Sequence, residues 1–208
     1  MSRIAYVNGR YLPHAHAQVH VEDRGYQFAD SVYEVCEVRG GKLVDAPRHL
    51  DRLERSLSAL RIAMPKSRAA LVLVLHEVVS QNRVGDGMVH LQVSRGVARR
   101  DHGFPAGAVK SSVVVTARAL DCAAADARAA KGVAVITLPD TRWAHVGIKT
   151  TALTANVLAR QAAREAGAFE AWFVDQAGNV VEGAATTGRF SEPGLYPLNN
   201  RRSLLLSS

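Results

Sequence analysis

Apolar residues follow two rhythms along this chain, one of period two and one near 3.6, and the two alternate in blocks. Ile4 to Val7 leads into Asn8-Gly9, a hairpin-turn dipeptide, and Arg10 to Leu12 returns toward Pro13, which predicts an opening hairpin. From Ser31 to Arg39 the chain sets Val32, Glu34, Cys36 and Val38 against Tyr33, Val35 and Glu37, and Gly40-Gly41 turns it back into Leu43-Val44 as a second hairpin. Leu50, Leu53, Leu57 and Leu60 then recur at helical spacing, predicting a helix over 49–60 with Asp51, Arg52 and Arg55 on other faces. A second helix is expected over 67–82, capped by Ser67 and striped by Leu71, Leu73, Val74 and Val78. Strands follow at 88–94 and 113–116, and the polar loop from Arg95 to Pro105 between them is a natural place for binding residues.

In the second half, CAAADARAAKG reads as an exposed linker or short helix and marks a soft boundary. A strand over 133–138 precedes a helix over about 154–166, with Val157, Leu158 and Ala162 on one face and Gly167 as its stop. Phe169 to Val174 and Val180 to Glu182 form a hairpin around Gln176-Ala177-Gly178-Asn179. The pattern is that of an α+β chain. It divides into an N-terminal part over 1–120, a second part over 121–187, and a tail over 188–208. GRFSEPGLYPLNNRRSLLLSS in that tail has neither strand alternation nor helical period, as a shifted reading frame or a degenerate terminus would leave it.

Composition narrows the classes. With 48% hydrophobic and 22% charged residues the chain matches globular proteins rather than disordered ones. No apolar run approaches the roughly 20 residues of a membrane span, and MSRIAYVNGR lacks the apolar core of a signal peptide, so a cytoplasmic location is expected. The net charge of +7 admits an acidic partner, but the basic residues are mostly arginines scattered from Arg3 to Arg202, without a basic tail or aromatic stripe, so no nucleic-acid partner is expected. Cys36 and Cys122 stand far apart without metal-ligand spacing, so both are expected to be reduced and structural, with no metal site. Lysine is scarce: only Lys42, Lys66, Lys110, Lys131 and Lys149 occur.

Lys149 lies in VGIKTTALTANVLARQ, after an apolar tripeptide and before a helix. A lysine entering a partly desolvated site in this way becomes a nucleophile toward an aldehyde, although a solvated lysine ahead of a helix has the same local sequence.

Four segments decide between these readings. IKTTALTANVLARQAAREAGAFEAWFVDQAGNVVEG resembles the signature of class IV (fold type IV) pyridoxal-phosphate aminotransferases, in which a lysine precedes a helix, a hairpin follows and Glu-Gly closes the motif. RGYQFADSVYEVCEVRGGKL, HLDRLERSL and QVSRGVARRDHGFP resemble three further segments of that family, in the same order. The resemblance covers roughly residues 4 to 187 and implies a two-domain fold type IV enzyme, with the small domain complete and the large domain incomplete.

It also implies roles. Lys149 is the lysine that holds pyridoxal 5'-phosphate and shuttles the proton, and Glu182 faces the pyridine nitrogen. Arg52 contacts the cofactor phosphate, and Tyr33 matches an active-site tyrosine. Arg100 and His102, two positions apart, form the Arg-x-His pair with which D-amino-acid transaminases bind the substrate carboxylate; branched-chain aminotransferases and aminodeoxychorismate lyases generally lack it. Two departures stand out: Ala184, Ala185, Thr186 and Thr187 replace the family's serines and asparagine after Glu-Gly, and the likeness stops after Thr187. The implied partners are an amino acid, a 2-oxo acid and a second copy in a homodimer. A truncated pseudoenzyme without turnover, or a branched-chain aminotransferase or lyase relative, is the alternative.

Overall fold

The structure, a computed structural model, describes residues 3–186; the tail over 188–208 lies outside them. It divides into two compact units, one of residues 3–121 with Gly147–Ala152 and the other of residues 122–146 with 153–186.

The first unit is a six-stranded antiparallel sheet. Its strands are β1 (Ile4–Val7), β2 (Arg10–Pro13), β3 (Ser31–Arg39), β4 (Lys42–Leu43), β5 (Gly87–Ser94) and β6 (Ser112–Ala119), in the order β2-β1-β6-β5-β3-β4. Asn8 and Gly9 both take positive φ, 50° and 101°, so the opening hairpin turns where its dipeptide allows left-handed backbone. One residue in two along β3, β5 and β6 points into a core with helices α2 (Ala46–Ala59) and α3 (Arg68–Gln81), through Val32, Val38, Val89, Leu91, Val115, Leu53, Leu57, Leu71 and Val78 among others. Helix α2 begins three residues before the expected start because Pro47, in its first turn, already has helical φ. Ser67 accepts from the N–H of Ala70 and caps α3 as expected. Leu73, expected in the α3 stripe, is 70% exposed, and Leu75 and Val79 take its place in the core.

A short helix, α1 (Arg24–Phe28), precedes β3 in a stretch for which the apolar pattern predicts no element. At five residues it is too short to show an apolar period.

The second unit contains α4 (Cys122–Lys131), β7 (Val135–Pro139), α5 (Thr154–Glu165), β8 (Glu170–Val174) and β9 (Val180–Gly183). Strands β7 and β8 pair in parallel and β8 and β9 antiparallel. The buried face of α5 is Ala159 and Ala163 against Ala171 and Phe173. This corrects the expected face: Val157 and Leu158 are 64% and 67% exposed. The small alanines let the helix lie close on the strands. Both cysteines are free and buried. Among the described residues no helix is long and apolar enough to cross a membrane.

Candidate active site

Lys149 is held by its backbone before its amine is considered. Residues around it run antiparallel along the first half of β3: Val32 bridges Thr150, the Tyr33 N–H donates to the Lys149 carbonyl at 3.0 Å, and the Thr151 N–H to the Ser31 carbonyl at 3.2 Å. The hydroxyls of Ser31 and Thr151 are hydrogen-bonded to each other. From the helix side, buried Ser56 of α2 accepts the Lys149 N–H at 3.3 Å. The side chain then projects over β3, where Nζ donates to the Tyr33 hydroxyl at 3.3 Å and lies 4.4 Å from the ring centroid. His90 of β5 stacks on the same tyrosine, centroids 5.5 Å apart and planes at 26°. Burial, and then the charge of Lys149, push the His90 pKa below its ordinary value, so its imidazole is neutral at pH 7.

Arg52 sits one turn before Ser56 on α2, about 6 Å along the helix. Its Nε and Nη2 donate to the two oxygens of Glu34, each at 2.6 Å. Glu34 is 1% exposed on the core side of β3, and His49 Nδ1 lies 2.8 Å from its second oxygen. A carboxylate so buried is tolerable only with such partners. The hydrogen bond to Glu34 raises the Arg52 pKa beyond the counter-effect of burial, and burial pushes the neighbouring Cys36 thiol up to about 12. The Arg52 side chain is 41% exposed, and its Nη1 has no hydrogen-bond partner among the described residues.

Arg100 and His102 lie in a loop anchored on Asp30. Arg24, 3% exposed, bonds Asp30 at 2.8 Å and the Asp101 carbonyl at 2.6 Å. Arg95 grips both Asp30 oxygens, at 2.6 and 2.9 Å, and the carbonyls of Leu60 and Arg61 just past α2. Burial raises the Asp30 pKa, but the hydrogen bonds from Arg95 and Arg24 outweigh it and leave a net lowering. No hydrogen bond, ion pair or ring contact joins Arg100 or His102 to Lys149 or Tyr33 among the described residues; both lie instead against Phe28.

In the second unit Glu182, on β9, is half exposed, with Arg142 Nη1 at 3.9 Å. Arg142 is committed more closely to Asp140, at 2.8 Å. Buried Glu170 accepts from the N–H of Ala185 at 3.1 Å and the Thr186 hydroxyl at 2.7 Å, which fixes the chain just after Glu182.

The structure thus brings Lys149 and Tyr33 together and steers Arg52 from within the sheet. Sequence reasoning passed over Glu34, His49, Ser56 and His90. Glu34 had a visible signal, since its alternation places a carboxylate on the apolar side with Val32, Cys36 and Val38. His90 had none, because only the register Val35↔His90 brings it beside Tyr33. Among the described residues no group of three or more His, Cys, Asp or Glu that could hold a metal ion occurs.

The family model for amino-transferase class IV matches residues 31–191. A D-alanine aminotransferase of Bacillus licheniformis is 38% identical over 86% of this chain and 62% of its own length. One from Staphylococcus haemolyticus is 32% identical over 94% of this chain and 69% of its own. The chain therefore spans less than two thirds of the first of these relatives. Among solved structures, a T.th. branched-chain amino acid aminotransferase with pyridoxamine 5'-phosphate superposes with a TM-score of 0.76 at 22% identity, over 88% of this chain and 63% of that one. The 4-amino-4-deoxychorismate lyase of Pseudomonas aeruginosa does so at 0.69 and 29% identity, over 87% of this chain and 64% of that one. With a family match over most of its length and a mixed α and β fold shared with these enzymes, the chain belongs to the class IV aminotransferases.

Proposed function

We propose that this chain carries the pyridoxal-phosphate site of an aminotransferase that moves the amino group of a D-amino acid, such as D-alanine, to a 2-oxo acid. The observation that carries the reading is the Lys149 amine seated on Tyr33, with the partly free guanidinium of Arg52 on the helix that holds the Lys149 backbone. The relatives named D-alanine aminotransferase support the D-amino acid as substrate.

When bound, pyridoxal phosphate supplies an aldehyde carbon for amines and a ring that withdraws electrons from the reacting carbon. The residues of this chain fit that group. Lys149 Nζ would be the amine offered to the aldehyde and the group that would carry the proton at the substrate Cα. The Tyr33 hydroxyl accepts from Nζ and directs it. Glu34 aims Arg52, whose Nη1 would donate to the phosphate. Glu182 would keep the pyridine nitrogen protonated, as a carboxylate beside it would favour the charged form. Arg100 and His102 grip the substrate carboxylate. Residues 121–187 are the start of the cofactor-binding domain, and the working enzyme is a cytoplasmic homodimer.

A second reading, a chain that keeps the fold without turnover, is favoured by Ala184 and Ala185, which carry no side-chain donor where the resemblance implies serines and asparagine. One experiment separates the two: pyruvate release from D-alanine with 2-oxoglutarate and pyridoxal phosphate, beside the same assay with L-leucine. The proposal expects D-alanine to be used far faster and Lys149→Ala to abolish the reaction. A preference for L-leucine overturns the substrate assignment, and no turnover by a chain that binds the cofactor upholds the second reading.

A further inference from the structure

The segment carrying Arg100 and His102 has no long regular element of its own, yet it is tied to residues 22–30 along its length. Asp23 bridges Val97, the Ala98 N–H donates to the Glu22 carbonyl, the Arg24 N–H to the Gly96 carbonyl, and the Arg95 N–H to the Asp30 carbonyl. Gly96 holds φ at +106°, and a Cβ there would meet the Lys110 carbonyl oxygen at 2.0 Å, so the entry to the loop admits only glycine. These ties set the backbone and leave the two side chains undetermined. Arg100 and His102 are both exposed, and among the described residues neither side chain has a hydrogen bond or an ion pair.

One ring collects both. The Arg100 guanidinium carbon lies 4.8 Å from the Phe28 ring centroid, and the His102 ring lies 5.3 Å away with its plane tilted by 48°. Phe28 is itself anchored, because buried Arg24 lies 4.9 Å from its centroid while bonding the Asp101 carbonyl. An exposed arginine otherwise spreads over many rotamers, and converging two such groups on one carboxylate costs that freedom at each binding event. An aromatic face that attracts a guanidinium removes part of the cost beforehand.

We infer that Phe28 is a positioning residue for substrate recognition, its ring holding the Arg100 guanidinium and the His102 imidazole together so that a single carboxylate meets both. This rests on the reading of Arg100 and His102 as the carboxylate grip. The required chemistry is a small monocarboxylate such as a 2-oxo acid, and Phe28 need not touch it.

The test uses the 208-residue chain, with pyruvate and acetate titrated against the His102 ring signal in NMR, assigned by its loss in His102→Gln. In the unaltered chain the signal shifts saturably. Phe28→Leu weakens pyruvate about five- to tenfold, while the His49 and His90 signals stay in place and Phe28→Tyr restores binding. Should Phe28→Leu fail to fold, Phe28→Met fills similar space without an aromatic face and takes its role. Equal affinity in the unaltered chain and the leucine or methionine variant overturns the positioning role and leaves the grip standing, as does a tyrosine variant no better than leucine. If His102 does not respond to either carboxylate in the unaltered chain, the grip itself is wrong and this inference falls with it.

Discussion

Arg52 gives two of its three nitrogens to Glu34, so the direction of a half-exposed guanidinium is dictated by a glutamate that is 1% exposed. The pair is unequal. Without Arg52, Glu34 keeps only His49 in a buried site; without Glu34, Arg52 can still turn to water.

Arg52→Ala is therefore expected to destabilise the chain by about 3 kcal/mol, and Glu34→Gln by less. Denaturant unfolding of both variants checks the order. A larger loss in Glu34→Gln would mean that the arginine, not the glutamate, is the costly charge to strand.

Pyridoxal phosphate followed by borohydride should fix its label on Lys149 in preference to Lys42, Lys66, Lys110 and Lys131. Peptide mapping reads the site, and Lys149→Ala should lose the label. Label recovered mainly on any of the other four would sink the assignment of Lys149.

His90 makes stability depend on pH. Its folded pKa lies below the ordinary 6.5, so its contribution is complete above about pH 6.5 and is lost as pH falls toward and through the folded value, because the unfolded chain takes up the proton first. Asp30 acts in the same direction lower down, its contribution being present above the unfolded carboxylate value of about 4 and lost as pH falls through its lowered folded value. His90→Gln should flatten the loss of melting temperature between pH 7 and pH 5 and leave the steeper loss in the Asp30 range. An unchanged slope above pH 5 would remove His90 as its source.

The apolar face of α5 predicts behaviour in solution. Val157 and Leu158 are 64% and 67% exposed while Ala159 and Ala163 do the packing, so Val157→Lys with Leu158→Glu should raise solubility without lowering the melting temperature. Light scattering during concentration measures it, and a drop in melting temperature would show that the two side chains are needed in the fold.

Much of this was legible in the sequence, and the gaps have physical causes. Period-two alternation placed β3 and β5, and the leucine period placed α2, because those segments bury one face and polar residues fill the other. The α5 face was misjudged because periodicity weights large residues, and here the close packing is done by alanines. Helix α1 was missed because five residues carry no period. Lys149 and Tyr33 could each be named from sequence, but the partners that hold them depend on tertiary contacts: Ser56 on how α2 packs, and His90 on which strand pairs with which.

The strip of chain around Lys149 also closes the free edge of β3, through Val32↔Thr150 and the bonds to Ser31 and Tyr33. An unpaired strand edge is a template for other chains, and here its cover is the segment that carries the proposed reactive lysine. A copy that let Lys149 swing away would bare Ser31 to Tyr33 to its neighbours. Loss of chemical competence and the onset of clumping should then set in together, as two signs of one local opening.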